Sequence, residues 1–210
     1  MDVAEKDVKD LVVFDFDGTL TTEDTFVLFM KHYCGTFRWY LKMVPLLGVF
    51  ARYKLGRIDR HAVKHAVVQA VFAGETFADV QAEADRFARE DIPGLIRPKG
   101  LETFREKVAA MNNGGPQVII CSASISPYLE AFFRGELAVD IVSCELEVDS
   151  RGTCTGKLRT RNVWGDNKLE AIRERFHSYR VNLRESYGDT AGDRAILDAA
   201  QTAYWRPFRV

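Results

Sequence analysis

Apolar positions along the chain follow two rhythms. Leu11-Val12-Val13-Phe14 and Val118-Ile119-Ile120-Cys121 are short unbroken apolar runs with polar residues after them. Runs of that length and β-branched content predict strands buried on both faces, as in a parallel sheet. Between them the apolar positions recur at helical spacing. Phe26, Phe29, Met30 and Tyr33 share a face over 25–33, and Ala62, Val63, Ala66, Val67 and Ala70 share one over 59–72. Phe77, Val80, Ala84 and Phe87 form a stripe over 76–90, and Thr76 with Asp79 gives it a capping-box-like start. A further apolar segment, 37–53, is interrupted by Pro45 and Gly48. No strand-like alternation breaks this stretch, so it reads as a helical insertion after the first strand. Ile92-Pro93-Gly94 and Arg97-Pro98 mark the return.

The α/β pattern then resumes. Leu101, Phe104, Val108 and Met111 predict a helix that Asn113-Gly114-Gly115-Pro116 ends. After the second strand, Ser126-Pro127 predicts a helix start with Ser126 as cap. Segments 141–148 and 154–158, around Asp149-Ser150-Arg151-Gly152, predict one strand pair. A helix over 167–176, a strand ending near Tyr187, a short helix over 195–200 and a last strand over 203–205 complete the chain.

Candidate chemistry gathers where strands end or helices begin. Asp15 and Asp17 follow the first strand, with Gly18 breaking the pattern. Side chains two apart in extended chain point the same way, which predicts that both face one volume. In open α/β sheets that volume, beyond the carboxyl ends of the strands, is where ligands sit. Ser122 follows the second strand, Lys168 falls in a helix's first turn, and Asp189 and Asp193 follow a later strand. Four carboxylates against one lysine leave a surplus negative charge, and oxygen-only ligands favour Mg²⁺. With metal and lysine in place, such a site accepts a phosphate dianion, and an aspartate can attack its phosphorus.

These residues carry a resemblance that spans essentially the whole chain. Asp15-Phe16-Asp17-Gly18-Thr19, Ser122, Lys168 and Gly188-Asp189-Thr190-Ala191-Gly192-Asp193 resemble, in order, the four motifs of the haloacid dehalogenase (HAD) superfamily. The likeness is to its phosphoserine-phosphatase-like subclass (subfamily IB). It implies an α/β fold, with a Rossmann-like parallel-sheet core over 1–20 and 96–210 and an inserted α-helical cap over 21–95. It implies Asp15 as nucleophile, Asp17 as acid and base, and Ser122 and Lys168 as further catalytic residues. Mg²⁺ is then expected at Asp15, the backbone carbonyl of Asp17 and Asp189, with Asp193 orienting the lysine or a metal-bound water. The implied activity is Mg²⁺-dependent phosphomonoester hydrolysis through an aspartyl-phosphate.

Composition bears on partners and place. A net charge of −1 over 210 residues excludes bulk attraction to polyanions, so no nucleic-acid partner is expected. No apolar run reaches the roughly 18 residues of a spanning helix, and the charged start, 1–10, lacks a leader-like apolar core. Cys34, Cys121, Cys144 and Cys154 form no CxxC pair and read as free thiols. His32, His61, His65 and His177 lack ligand spacing. A cytoplasmic location follows as the expectation.

The substrate is less plainly written. Phosphoserine phosphatases typically carry a glycine pair after the second-motif serine, where this chain has Ala123-Ser124. An ungapped reading sets Asp24 near their cap glutamate and His65 near their cap arginine. Segment 31–64 holds eight basic residues (Lys31, Arg38, Lys42, Arg52, Lys54, Arg57, Arg60 and Lys64) against Asp59 alone, interleaved with aromatic and aliphatic side chains. That combination suits an anionic membrane surface, and the segment looks similar to bacterial phosphatidylglycerophosphate phosphatases of this subclass. The expected substrate is thus a lipid or other apolar phosphomonoester, met by peripheral contact at the inner membrane face. Phosphoserine or another small soluble phosphate is the alternative, and a phosphoaspartate signalling switch is the alternative of another class.

Overall fold

The computed structural model describes residues 6–135 and 139–209. Residues 1–5 of the charged start, 136–138 and 210 lie outside the described residues. Strand β1 (Val8–Phe14) is the centre of a five-stranded sheet. It is flanked on one side by β2 (Gln117–Ile125) and β3 (Asp140–Cys144). On its other side lie β6 (Arg180–Gly188) and β7 (Thr202–Trp205). Each adjacent pair is parallel. Leu11, Val12, Val13 and Phe14 are buried, as a central parallel strand requires. The order β3-β2-β1-β6-β7 puts successive strands on opposite sides of β1, which opens a crevice at their carboxyl ends.

Six helices follow β1 before the chain returns to the sheet. They are α1 (Thr25–Cys34), α2 (Thr36–Met43), α3 (Leu47–Lys54), α4 (Arg60–Phe72), α5 (Phe77–Glu90) and the single turn α6 (Ile92–Leu95). Caps set several of their starts: Asp24 accepts from the Val27 amide, Asp59 from Ala62 and Thr76 from Asp79. The segment read as interrupted at Pro45 and Gly48 divides into α2, a 3-10 turn (Val44–Leu46) and α3. The helices join the sheet through two strands of chain that run side by side. Thr21 and Ile96 form a bridge, the Thr22 amide donates to the Leu95 carbonyl at 2.8 Å, and that of Arg97 to Leu20 at 2.8 Å.

The return to the sheet passes through α7 (Pro98–Asn112), β2, and α8 (Ser126–Phe133). β2 runs straight into α8, so Ile125 holds the N-cap position and Ser126 is already helical, one residue off the expected cap. The predicted pairing of 141–148 with 154–158 is divided. β3 joins the parallel sheet, and only β4 (Leu146–Val148) pairs with β5 (Cys154–Leu158), antiparallel. One alternating stretch, interrupted at Glu145, serves two sheets here. The β4–β5 ribbon packs on the helices, with the Cys154 amide donating to the Glu75 carbonyl at 2.8 Å and Gly156 against Ala73. Helices α9 (Asp166–Arg175) and α10 (Arg194–Asp198) lie on either side of β6 in the chain.

Candidate active site

Lys168 is the hub of the crevice. It sits in the first turn of α9, only 2% exposed, and its ammonium donates to Asp15 Oδ1 and Asp193 Oδ1, both at 2.6 Å, and to the Cys121 carbonyl at 2.8 Å. All three donor positions are thus spent, as a buried ammonium requires. Burial alone would lower its pKa, but Asp15 and Asp193 hold it above the ordinary lysine value. Asp15 is pushed up to about 8, by burial first, with Lys168 opposing and Asp193 and Asp17 adding to the rise. Asp193 differs. Burial raises it, but Lys168 and the Thr190 and Asp189 amides outweigh that and lower it.

Asp193 has no free oxygen among its protein contacts. Oδ1 takes Lys168, while Oδ2 accepts from the Asp189 amide at 3.1 Å and the Thr190 amide at 2.8 Å. It therefore fixes both the lysine and the turn that carries Asp189. Gly188 is required there, because a Cβ would stand 2.5 Å from that of Asp193.

Asp15 and Asp17 do face one cavity, though not for the reason the sequence suggests. β1 ends at Phe14, and the chain turns over 17–20, so the two carboxylates take different partners. Asp15 Oδ2 accepts from the Thr19 hydroxyl at 2.8 Å. Asp17 is turned toward α1 and β2: its Oδ1 accepts from the Thr25 amide at 2.7 Å and hydroxyl, and its Oδ2 from the Ser122 and Ser124 hydroxyls. Burial, then Asp24, raises its pKa. Ser122 and Ser124 reach it because the β2–β3 register shifts between Cys121 and Ile125. A bulge of this kind re-aims side chains at a site.

Three carboxylates lie close enough to share a cation. Oxygens of Asp15, Asp189 and Asp193 fall within 4.8 Å of one another. Gly18 makes the approach possible, with φ +81° and a position where a Cβ would stand 2.5 Å from Asp189 Oδ2. The donor set is all oxygen, which suits a hard divalent ion. The Asp189 carboxylate also pairs with the Arg209 guanidinium, a positive group in the place where a cation would answer its charge. Burial, then Asp193, raises the pKa of Asp189. The donors fit a Mg²⁺ ion.

Above these acids stands a cavity of about 430 Å³. Phe26, Trp39, Phe50, Val63, Val67 and Trp164 supply much of its wall, so the helices present an apolar roof to an acidic floor. Two cations interrupt that roof. Arg60 lies over the Trp164 ring, 5.4 Å from its centroid. Lys64 is 8% exposed and donates to the Ala123 carbonyl and to Asn162 Oδ1 at 3.2 Å, with the Phe26 ring 4.6 Å away.

Sequence reasoning missed Thr25, Ser124, Asn162 and the inward role of Lys64. It set His65 near the substrate, yet His65 is exposed and the neighbouring Lys64 points in. A signal was present. Lys64 shares the i, i+3, i+4, i+7 positions with Val67, Val68 and Val71, so a lone lysine lies on the buried face of α4. Lys42 also leaves the supposed basic surface, because its ammonium donates to the Ala70 and Val71 carbonyls at 2.7 and 3.2 Å. Asp24 lines the cavity and caps α1.

Comparison with known proteins agrees with this arrangement. The family model described as haloacid dehalogenase-like hydrolase matches residues 12–198. Protein CicA of Caulobacter vibrioides is 33% identical over 199 residues, covering 95% of this chain and 86% of that protein. A protein with unknown function from Bordetella pertussis superposes with TM-score 0.73 at 16% identity, over 93% of this chain and 89% of that one. A probable phosphoserine phosphatase from Vibrio cholerae superposes with TM-score 0.63 at 17% identity, over 94% of this chain and 55% of the larger protein. On the match over residues 12–198, and on the 33% identity to CicA, the chain belongs to the haloacid dehalogenase-like hydrolases.

Proposed function

We propose that the protein is a Mg²⁺-dependent phosphomonoester hydrolase that works through an aspartyl-phosphate on Asp15, with an apolar, lipid-like substrate body. The observation that carries this reading is Lys168 held 2.6 Å from both Asp15 and Asp193 at the floor of the cavity, beside Asp189. In this reading an Asp15 oxygen attacks phosphorus and the ester P–O bond breaks. Asp17 gives its proton to the departing oxygen, a role supported by its raised pKa. Asp17 then takes a proton from water, whose oxygen attacks the phosphorus of the aspartyl-phosphate. Phosphate leaves and the Asp15 carboxylate is restored. Lys168 offsets charge on the transferring group. Asp15 and Asp189, with the Asp17 carbonyl, would hold Mg²⁺, and Asp193 would fix Lys168 beside it. When bound, the ion supplies further positive charge to the phosphoryl oxygens. Ser122 and Ser124 fix the orientation of the Asp17 carboxylate at the cavity's edge through its Oδ2.

The apolar roof supports the substrate class. Phe26, Trp39, Phe50, Val63 and Val67 suit an acyl or aromatic body better than the charged body of phosphoserine. Purified protein assayed with Mg²⁺ on soluble and lipid phosphomonoesters tests this. The expected result is turnover that chelation abolishes, with a lower KM for apolar substrates, and Asp189→Ala raising the Mg²⁺ concentration needed. Turnover that resists chelation, or equal KM values for phosphoserine and acylated substrates, would overturn the corresponding part.

A further inference from the structure

We propose that the outer face of the α2–α3 segment is a docking surface for a lipid bilayer carrying anionic headgroups. The two helices are apolar on two sides. Trp39 and Phe50 turn inward and line the cavity. Phe37, Leu41 and Val44 recur at helical spacing on the other side of α2 and its following turn, exposed by 77%, 56% and 60%. Tyr40, Leu47 and Leu55 extend the patch, each more than half exposed. Among the described residues, seven of the eleven large exposed apolar side chains fall within 37–55. A helix with apolar side chains on two sides ordinarily buries both, and here the outer side faces solvent.

Charge selects the occupant. Segment 35–58 contains Arg38, Lys42, Arg52, Lys54 and Arg57 and no acidic residue, in a chain whose net charge is −1. Lys42 is turned inward, but the other four are exposed along the same segment as the apolar side chains. Exposed apolar side chains interspersed with exposed cations fit the headgroup boundary of an anionic membrane. A second copy of the chain would bring like charges together. The same helices supply part of the cavity wall, so docking would bring the cavity close to the source of apolar phosphomonoesters. The surface deepens the hydrolase reading and rests on it for its purpose. Its existence rests on exposure and charge alone.

Flotation tests it, using vesicles of phosphatidylcholine alone and of phosphatidylcholine with phosphatidylglycerol. Wild-type protein is expected to float with the anionic vesicles and to be released by salt. Phe37→Ser with Leu41→Ser, and separately Arg52→Glu with Lys54→Glu, are each expected to lower the bound fraction about tenfold. Both variants are expected to hydrolyse p-nitrophenyl phosphate at the wild-type rate, which also reports that they fold. The proposal is overturned if wild-type protein does not float with anionic vesicles, or if both variants float as well as it does. It is also overturned if light scattering finds a dimer that the apolar pair of substitutions dissolves. Failure of wild-type protein to turn over any phosphomonoester would strike the hydrolase reading and leave the flotation result standing.

Discussion

Lys64 carries more information than its place in a basic stretch suggests. Its ammonium is buried against the Ala123 carbonyl and Asn162, so removing it leaves polar groups without a partner. Lys64→Met is expected to destabilise the protein by about 1–3 kcal/mol in denaturant melts. His65→Ala, one position along and exposed, should stay within about 0.5 kcal/mol. Equal effects would mean that the register of α4 is misplaced. Gly18 makes a second residue-scale case. It holds φ +81°, and any Cβ meets the Asp189 carboxylate. Gly18→Ala is expected to cost about 1–2 kcal/mol from backbone strain and to move Asp189, so its Mg²⁺ requirement should rise. The motif residues were legible because each follows a recognisable strand or opens a helix. Thr25, Ser124 and Asn162 were not, because their meaning lies in partners on other elements. A threonine at a helix start looks like any other until Asp17 turns toward it.

Among the elements, β1, β2 and the four long helical patterns were readable, since buried strands and amphipathic helices have distinct periods. The run 141–148 was not. Its alternation does not say that β3 stays in the parallel sheet while β4 leaves to pair with β5. Which sheet a strand joins is decided by contacts distant in sequence, as is the fate of α2 and α3. Their apolar residues were visible, but not the division between an inner face over the cavity and an outer one in solvent. Phe50 belongs to the inner face. Phe50→Ala is expected to raise KM for an acylated phosphomonoester about tenfold, from lost apolar contact, and to leave KM for phosphoserine nearly unchanged. A parallel rise for both would show that α3 shapes the floor and not the roof.

At the scale of the whole molecule, three acids whose pKa values folding raises should make stability depend on pH when no metal ion is bound. Asp15 rises from 3.8 to about 8, and Asp17 and Asp189 also rise. A carboxyl raised on folding binds its proton more tightly in the folded state, so that stability is present at low pH and lost as pH climbs through the folded value. Lys168 stays charged throughout, and the lowered Asp193 gives stability lost only in acid. The Tm of chelated protein is therefore expected to fall from about pH 5 to about pH 8. Added Mg²⁺ should raise Tm more at the upper end, and a chelated Tm that climbs over this range would contradict the electrostatic picture. The central claim, that Asp15 accepts the phosphoryl group, has its most direct test in acid-quenched protein taken during turnover of p-nitrophenyl phosphate with Mg²⁺. Peptide mass spectrometry is expected to find a phosphoryl group on the peptide that contains Asp15, absent after chelation and absent in a folded, inactive Asp15→Asn variant. Wild-type turnover by Asp15→Asn, or the label on another residue, would contradict it.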